Sequence, residues 1–401
     1  MNSSLRWVAI TVFLFSSTLN YMDRQLLAAV APTLRGEFHL SLEQYGLLVT
    51  GFSIAYGLTA PFAGLFIDRI GLNRGISIAV AGWSLAGMST GLVGSLGGLF
   101  ATRTALGAAE AAGIPGFAKA NATYLKPDEL ALGTAMNQIG IAIAGVAAPL
   151  LAGFFLIHYG WRLLFVVCGA LGFVWVPLWL FTAAKVPKPV APSTAGQIAI
   201  SAMLRDRRFW GLVIANLLYM TMYSLWTNWT TLYFTEARGM SPADANRLFA
   251  WIPPVFGTLG GFAGGAMAFR LIRGGTPVFA ARMRICFLSG VLVLATAAVP
   301  AMPTSFWATV AISFSFFWIT AMSTNIYVMP IDFFGAGRAA FGVAALTFAY
   351  GIMQAFVSPA IGKTIDVFGF GRVCWVLAPL PLLACLVLKG MCSVPATRNA
   401  R

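Results

Sequence analysis

The chain is 401 residues long, 59% hydrophobic and only 9% charged, whereas a soluble domain carries about 25% charged residues. Such a composition excludes a soluble fold, which could not hide this much apolar surface, and indicates an all-α integral membrane protein whose surroundings are a lipid bilayer. The formal charge of +14 would suggest nucleic acid on a soluble protein, but here the basic residues cluster in a few short loops, so they report topology and no nucleic-acid partner is expected.

Apolar runs long enough to span a bilayer as helices recur along the whole sequence. The alternation that transmembrane strands require is absent. Twelve helices are predicted, over 7–34, 42–67, 75–95, 98–121, 131–157, 161–184, 209–236, 242–271, 278–300, 304–330, 339–365 and 371–393. The first apolar run begins after Arg6 and continues through Asp23 to Leu34, so a retained first membrane helix is expected and not a cleaved leader.

The longest polar connection, 185–208, contains Lys188, Pro189, Pro192, Arg205, Arg207 and Arg208. Read as a cytoplasmic linker, it divides the chain into a first six-helix bundle, 1–184, and a second, 209–401. Pro149 to Arg162, with Gly153 and Gly160, is echoed 210 residues later by Pro359 to Arg372, with Gly362 and Gly369. Two six-helix halves in parallel repetition are the signature of the major facilitator fold. With both termini in the cytoplasm, that side holds 18 of the 26 Lys and Arg residues and the outer side six, Arg24 and Arg103 lying inside helices. This is the orientation the positive-inside rule selects.

Ionisable residues inside a membrane are costly, and their default reading is functional. Asp23 and Arg24 lie in the first predicted helix, Arg103 and Glu110 in the fourth. Asp23 is 12 residues from Arg35, and Glu110 is 12 residues from Gly98, at the outer ends of their helices. At 1.5 Å per residue both carboxyls lie about 18 Å from the outer face. At equal depth they fit either a coupled pair of proton sites or a static ion-pair network. Arg24 directly follows Asp23 and projects about 100° away from it, so one can face a cavity while the other faces protein. Arg103 shares a face with Glu110, two turns away, and is its expected partner. An arginine fork suits a carboxylate, which makes Arg24 the candidate clamp for an anionic substrate.

Three motifs point to one family. Gly64-Leu65-Phe66-Ile67-Asp68-Arg69-Ile70-Gly71-Leu72-Asn73-Arg74 resembles the G-x-L-x-D-R-x-G-x-x-R loop of the major facilitator superfamily. There Gly64 and Gly71 permit a tight turn, while Asp68, Arg69 and Arg74 form a conformational latch on the cytoplasmic face. The matching loop of the second half, 269–275, lacks the acid. Asn20-Tyr21-Met22-Asp23-Arg24, followed by Ala31-Pro32, resembles the first helix of the anion:cation symporter branch. Ala109-Glu110-Ala111-Ala112-Gly113-Ile114-Pro115-Gly116 resembles the second hallmark of that branch. Nearly the whole chain is covered, and the similarity is greatest to bacterial hexuronate and aldonate:proton symporters.

The resemblance implies a secondary transporter that imports a small organic anion, foremost a sugar acid, by proton symport through alternating access. It places the chain in the cytoplasmic (inner) membrane of a bacterial-type cell. Asp23 and Glu110, with Arg103, would then handle protons, which are the coupling ion; no other cofactor and no metal is expected. The branch places sugar-acid contacts at the positions of Tyr56 and Gln138. Tyr21 in the first half, and Tyr219, Asn228, Ser323 and Asn325 in the second, are further candidates for hydroxyl recognition, although each also suits a helix–helix hydrogen bond.

The five cysteines lie in apolar segments without metal-like spacing, and neither His39 nor His158 lies in a helix interior. There is no Walker loop and no Ser/His/Asp arrangement, so neither ATP nor an enzyme activity is implied. A monomer is the expected state. Alternatives are a carrier of another organic anion such as a monocarboxylate, a drug or metabolite:proton antiporter suggested by the partial Gly-Pro stretch 145–153, and, further off, a non-transporting sensor.

Overall fold

The computed structural model describes residues 3–126, 129–186 and 200–392. Lys188, Pro189 and Pro192 of the predicted linker lie outside the described residues. Among the described residues the backbone is helical, with no strand. The helices are α1 (Ser3–Phe38), α2 (Leu42–Ile70), α3 (Leu72–Thr90), α4 (Leu96–Glu110), α5 (Gly113–Tyr124), α6 (Leu130–His158), α7 (Trp161–Lys185) and α8 (Ile200–Leu204). They continue as α9 (Arg207–Asn228), α10 (Thr230–Leu232), α11 (Pro242–Asp244), α12 (Ile252–Arg273), α13 (Val278–Val293), α14 (Ser305–Phe334), α15 (Ala336–Leu377) and α16 (Leu380–Cys392).

Among the described residues the twelve predicted spans fall largely on helical backbone, several as composites, and the third ends at Thr90, short of the predicted 95. The fourth is α4 and α5, interrupted at Ala111–Ala112, where Pro115 lacks the N–H that would bond the Ala111 carbonyl one turn back. The seventh runs through α9 and α10 into a π-helical turn, Tyr233–Ala237, and the eighth joins α11 to α12 through a second, Ala245–Ala250. The eleventh and twelfth share α15, which breaks at Gly369 (φ 74°). By length and apolarity alone, seven described helices qualify as membrane spans, or eight if the bent α2 is included.

Local chemistry fixes the ends. Ser41 and Gln44 form a capping box that starts α2, and Ser95 caps α4. Gly71, at φ 88°, lets the chain leave α2 and enter α3 with a single residue between them.

The residues group into two compact units. The first draws on Met1–Ser193, Thr227–Trp251 and Gln354–Val367, the second on Thr194–Trp226, Ile252–Met353 and Phe368–Arg401. In the first, α1 packs on α6 and α7, α3 on α7, and α2 on α4. Its core centres on Phe13, whose ring meets Trp179 edge-on at 5.1 Å and Trp175 at 6.0 Å, the two indoles stacking at 5.6 Å. Trp175 donates to the Val12 carbonyl at 2.6 Å, so that indole is buried with its N–H satisfied, whereas the buried Trp179 N–H has no hydrogen-bond partner. In the second unit α14 packs on α12 and α13, and α13 on α16.

Gly107 brings α4 against the backbone of α2. A Cβ there would overlap the Phe52 carbonyl oxygen and stand 3.0 Å from its carbon. Gly107→Val is therefore expected to cost about 1–3 kcal/mol or more through overpacking, read as a lowered unfolding midpoint in detergent. An unchanged midpoint would mean that the two backbones are not in contact.

Candidate functional site

In the first unit, α1 carries three polar residues over little more than one turn: Asn20, Asp23 and Arg24. Asn20 and Arg24 are four apart and so share a face. The site forms where this face meets the break between α4 and α5. Arg24 Nε donates to Glu110 Oε2 at 2.7 Å, and its Nη2 donates to Asn20 Oδ1 at 2.8 Å. Asn20 Nδ2 in turn donates to the Glu110 carbonyl at 3.3 Å. Three rings surround the guanidinium: Tyr56 at 4.6 Å, Tyr21 at 4.8 Å and Phe52 at 5.0 Å from the cation carbon, with Phe52 and Tyr56 stacked on each other. Such faces attract a cation and leave only the in-plane donors of Arg24 for an acid.

Glu110 is fully buried, while the Arg24 side chain keeps 22% of its exposure. The second carboxylate oxygen of Glu110, Oε1, is buried without a hydrogen-bond partner. A charged oxygen in that position is costly, so the carboxylate depends on Arg24, and the same arginine is the partially accessible cation of the site.

Asp23 is buried, 3% exposed, and its carboxylate lies over Gly87 of α3, where a Cβ would come within 3.7 Å of it. Arg103, 1% exposed, turns away from Glu110. It donates to Thr90 Oγ1 of α3 at 2.8 Å and to the Asp23 carbonyl at 3.4 Å, with Phe165 5.4 Å from its cation carbon. The pairing expected from sequence, Arg103 with Glu110, is thus replaced by Arg24 with Glu110. Spacing within α4 places Arg103 and Glu110 on one face, but the side chains diverge toward α3 and α1.

The remaining candidates are dispersed. Gln138 is exposed on α6. Tyr219 and Ser323, in the second unit, bond each other at 3.2 Å. Asn325 is fully buried and donates to the carbonyls of Gly264 at 3.1 Å and Ala321 at 2.9 Å, so its amide nitrogen ties α14 to α12. The Asn228 carbonyl accepts from the Tyr45 hydroxyl at 2.9 Å. The motif read from sequence as a loop is helical on both sides of Gly71: Asp68, in the last turn of α2, pairs with Lys119 of α5, which also donates to the Ile67 carbonyl at 3.3 Å. Arg69 and Arg74 are exposed.

A second cluster lies in the same unit, at the turn from α1 to α2. Asp366 of α15 accepts from the Leu42 and Glu43 amides at 3.2 and 3.1 Å, filling the donors that a helix start leaves free. Thr50 donates to the Ala355 carbonyl at 2.8 Å, and Asn246 to that of Ala29 at 2.7 Å. Arg35 pairs with Glu236, and Glu37 with Arg162 at 2.6 Å. The hydrogen bond from Arg162 holds the Glu37 carboxyl below its usual range. Being depressed, this contact is fully formed above the unfolded value of 4.5 and is lost only as pH falls through the lower folded value. Sequence spacing could suggest Asn20 beside Arg24, but nothing in it pairs Lys119 with Asp68 or Asp366 with α2.

A sequence model of the Major Facilitator Superfamily matches residues 13–358. The hexuronate transporter of Escherichia coli K12 is 27% identical over 96% of this chain and 93% of its own length. The galacturonate transporter of Dickeya chrysanthemi is 31% identical over 66% of this chain and 81% of its own length. Among solved structures, a bacterial homologue of the human lysosomal transporter Spinster, in an inward-facing and unoccupied conformation, superposes with a TM-score of 0.77. It has 18% identity and the match covers 98% of this chain and 96% of that one.

Proposed function

Because the chain belongs to the Major Facilitator Superfamily, we propose that it imports a sugar acid, hexuronate or aldonate, by proton symport, with Arg24 shared between Glu110 and the substrate carboxylate. It is a membrane transporter of sugar acids and not an enzyme. The observation that carries the mechanism is a partially accessible guanidinium bonded to a fully buried carboxylate.

Glu110 occupies the Nε edge of Arg24. A proton taken up on the Glu110 carboxylate removes its charge and weakens its hold on Arg24, because bonds between ionised partners are roughly twice as strong as neutral ones. Arg24 then offers its donors to the incoming carboxylate. Substrate and proton favour each other's binding through this one arginine, which is the reciprocity that coupling requires. Asp23, at the same depth on the α1 side of Arg103, is the second proton site. Tyr21, Tyr56 and Gln138, all in the first unit, supply partners for hydroxyls.

With both termini in the cytoplasm, the α1–α2 turn is on the outer side and the Asp68 loop on the inner. The contacts of Asp366, Thr50, Tyr45 and Arg35 then form an outer seal, and Asp68 with Lys119 belongs to the inner latch as the halves 1–184 and 209–401 rock. For each net charge moved inward, a membrane potential contributes about 2.3 kcal/mol per 100 mV.

Two results follow. Proteoliposomes given labelled hexuronates, aldonates and short monocarboxylates should accumulate a hexuronate or aldonate when the outside is acid; preference for a short monocarboxylate would reassign the substrate. Asp366→Ala should loosen the outer seal. A cysteine placed at Thr50 should then react several-fold faster with a membrane-impermeant maleimide, the native cysteines being buried. Equal rates in the two backgrounds would remove Asp366 from the seal.

A further inference from the structure

We propose that Asn20 is a positioning residue that holds Arg24 in its substrate-receiving orientation and ties it to the helix break at Glu110; the substrate role of Arg24 is that of the proposed function. Asn20 is 3% exposed and faces two groups at once. Its Oδ1 accepts from Arg24 Nη2 at 2.8 Å and its Nδ2 donates to the Glu110 carbonyl at 3.3 Å. The amide orientation follows from chemistry, since a guanidinium has only donors and a carbonyl only accepts.

The Glu110 carbonyl is available because α4 stops there. Helix ends leave their last carbonyls without donors inside the helix, and α5 begins only at Gly113. Asn20 supplies the missing donor. Gly113 supports the amide from below: a Cβ there would stand 3.1 Å from Asn20 Nδ2 and 3.3 Å from Cγ.

Arg24 has five N–H donors. Glu110 and Asn20 take the adjoining pair formed by Nε and Nη2, so the Nη1 end remains for a substrate carboxylate. When Glu110 is protonated, its bond to Arg24 weakens, and Asn20 is the neutral bond that keeps the fork in register. Any shift at the α4–α5 break during transport moves the Glu110 carbonyl, and through Asn20 it moves Arg24.

Three variants test this: Asn20→Ala, which removes both bonds; Asn20→Asp, which keeps the acceptor but loses the donor to Glu110; and Gly113→Ala, which presses on the amide without touching Arg24. Two readouts are used. The first, independent of substrate, is modification of Arg24 by phenylglyoxal in the full-length protein, quantified by peptide mass spectrometry. Asn20→Ala should speed it several-fold and Gly113→Ala in the same direction by less. The second is uptake of D-galacturonate. For Asn20→Ala, KM should rise at least about tenfold, the loss expected for a hydrogen bond to a charged group, while kcat falls by less. Asn20→Asp should raise KM further, because its carboxylate competes for Arg24. Unchanged Arg24 reactivity in Asn20→Ala and Gly113→Ala, with correctly folded protein by size-exclusion chromatography, overturns the proposal. If the parent protein does not transport D-galacturonate but Arg24 reactivity changes as stated, the positioning role stands and the substrate assignment fails instead.

Discussion

Replacing Arg24 by Lys should weaken the binding of a hexuronate by about two orders of magnitude, although the charge is kept. The loss comprises more than one hydrogen bond to a charged group, each contributing about 1.5–3 kcal/mol. Arg24 uses Nε for Glu110 and Nη2 for Asn20 while its flat face lies among Tyr21, Phe52 and Tyr56. A lysine is a point charge that cannot hold two partners in one plane and still present a third donor pair to substrate. It would pair with Glu110 and leave the substrate without a fork. Isothermal titration of D-galacturonate into purified protein measures this directly. Equal affinities in the Arg and Lys proteins would show that the substrate carboxylate is held elsewhere.

Removing the proton sites has the second large effect. Glu110→Gln and Asp23→Asn should each reduce accumulation driven by a proton gradient to simple equilibration. The two variants should differ in exchange without a gradient. In Glu110→Gln the new side-chain carbonyl can still accept from Arg24 Nε, where Glu110 Oε2 now stands at 2.7 Å. That variant resembles the protonated carrier, and substrate exchange should survive in it. Asp23 lies against Gly87, with Arg103 bonded to its own backbone carbonyl, and loss of its charge also removes one of the two acids, Asp23 and Glu110, that offset the charge of Arg103. Concentrative uptake at the parent level in both variants would leave the four charges as a static ion-pair network, the other arrangement their spacing allows.

The sequence made the helices legible because apolar runs of bilayer length have few other uses, and the predicted spans fall largely on helix among the described residues, seven or eight of them long and apolar enough to cross a membrane. The interruptions were less visible. The break at Ala111–Ala112 follows from Pro115, yet a proline inside an apolar run is compatible with a merely kinked helix. The π-helical turns at Tyr233–Ala237 and Ala245–Ala250 have no local signature, since they depend on how the chain packs. The four intramembrane charges were conspicuous by cost alone. Their pairing was not, because spacing within one helix says nothing about its rotation against another. Arg103 shares a face with Glu110 but turns to Thr90, and Arg24 of α1 takes Glu110. The partners of Asp68 and of the α2 amides, Lys119 and Asp366, are 51 and more than 300 residues away in sequence, beyond any local pattern.

The most direct test of proton-coupled import is a paired flux measurement in proteoliposomes. With the outside at lower pH and the membrane potential clamped at zero, D-galacturonate should accumulate above its outside concentration, and its entry should alkalinise the external medium in fixed proportion. The Glu110→Gln protein, measured alongside, should show exchange but neither accumulation nor alkalinisation. D-galacturonate that entered only to equilibrium in the parent protein, with no accompanying proton movement, would contradict the account.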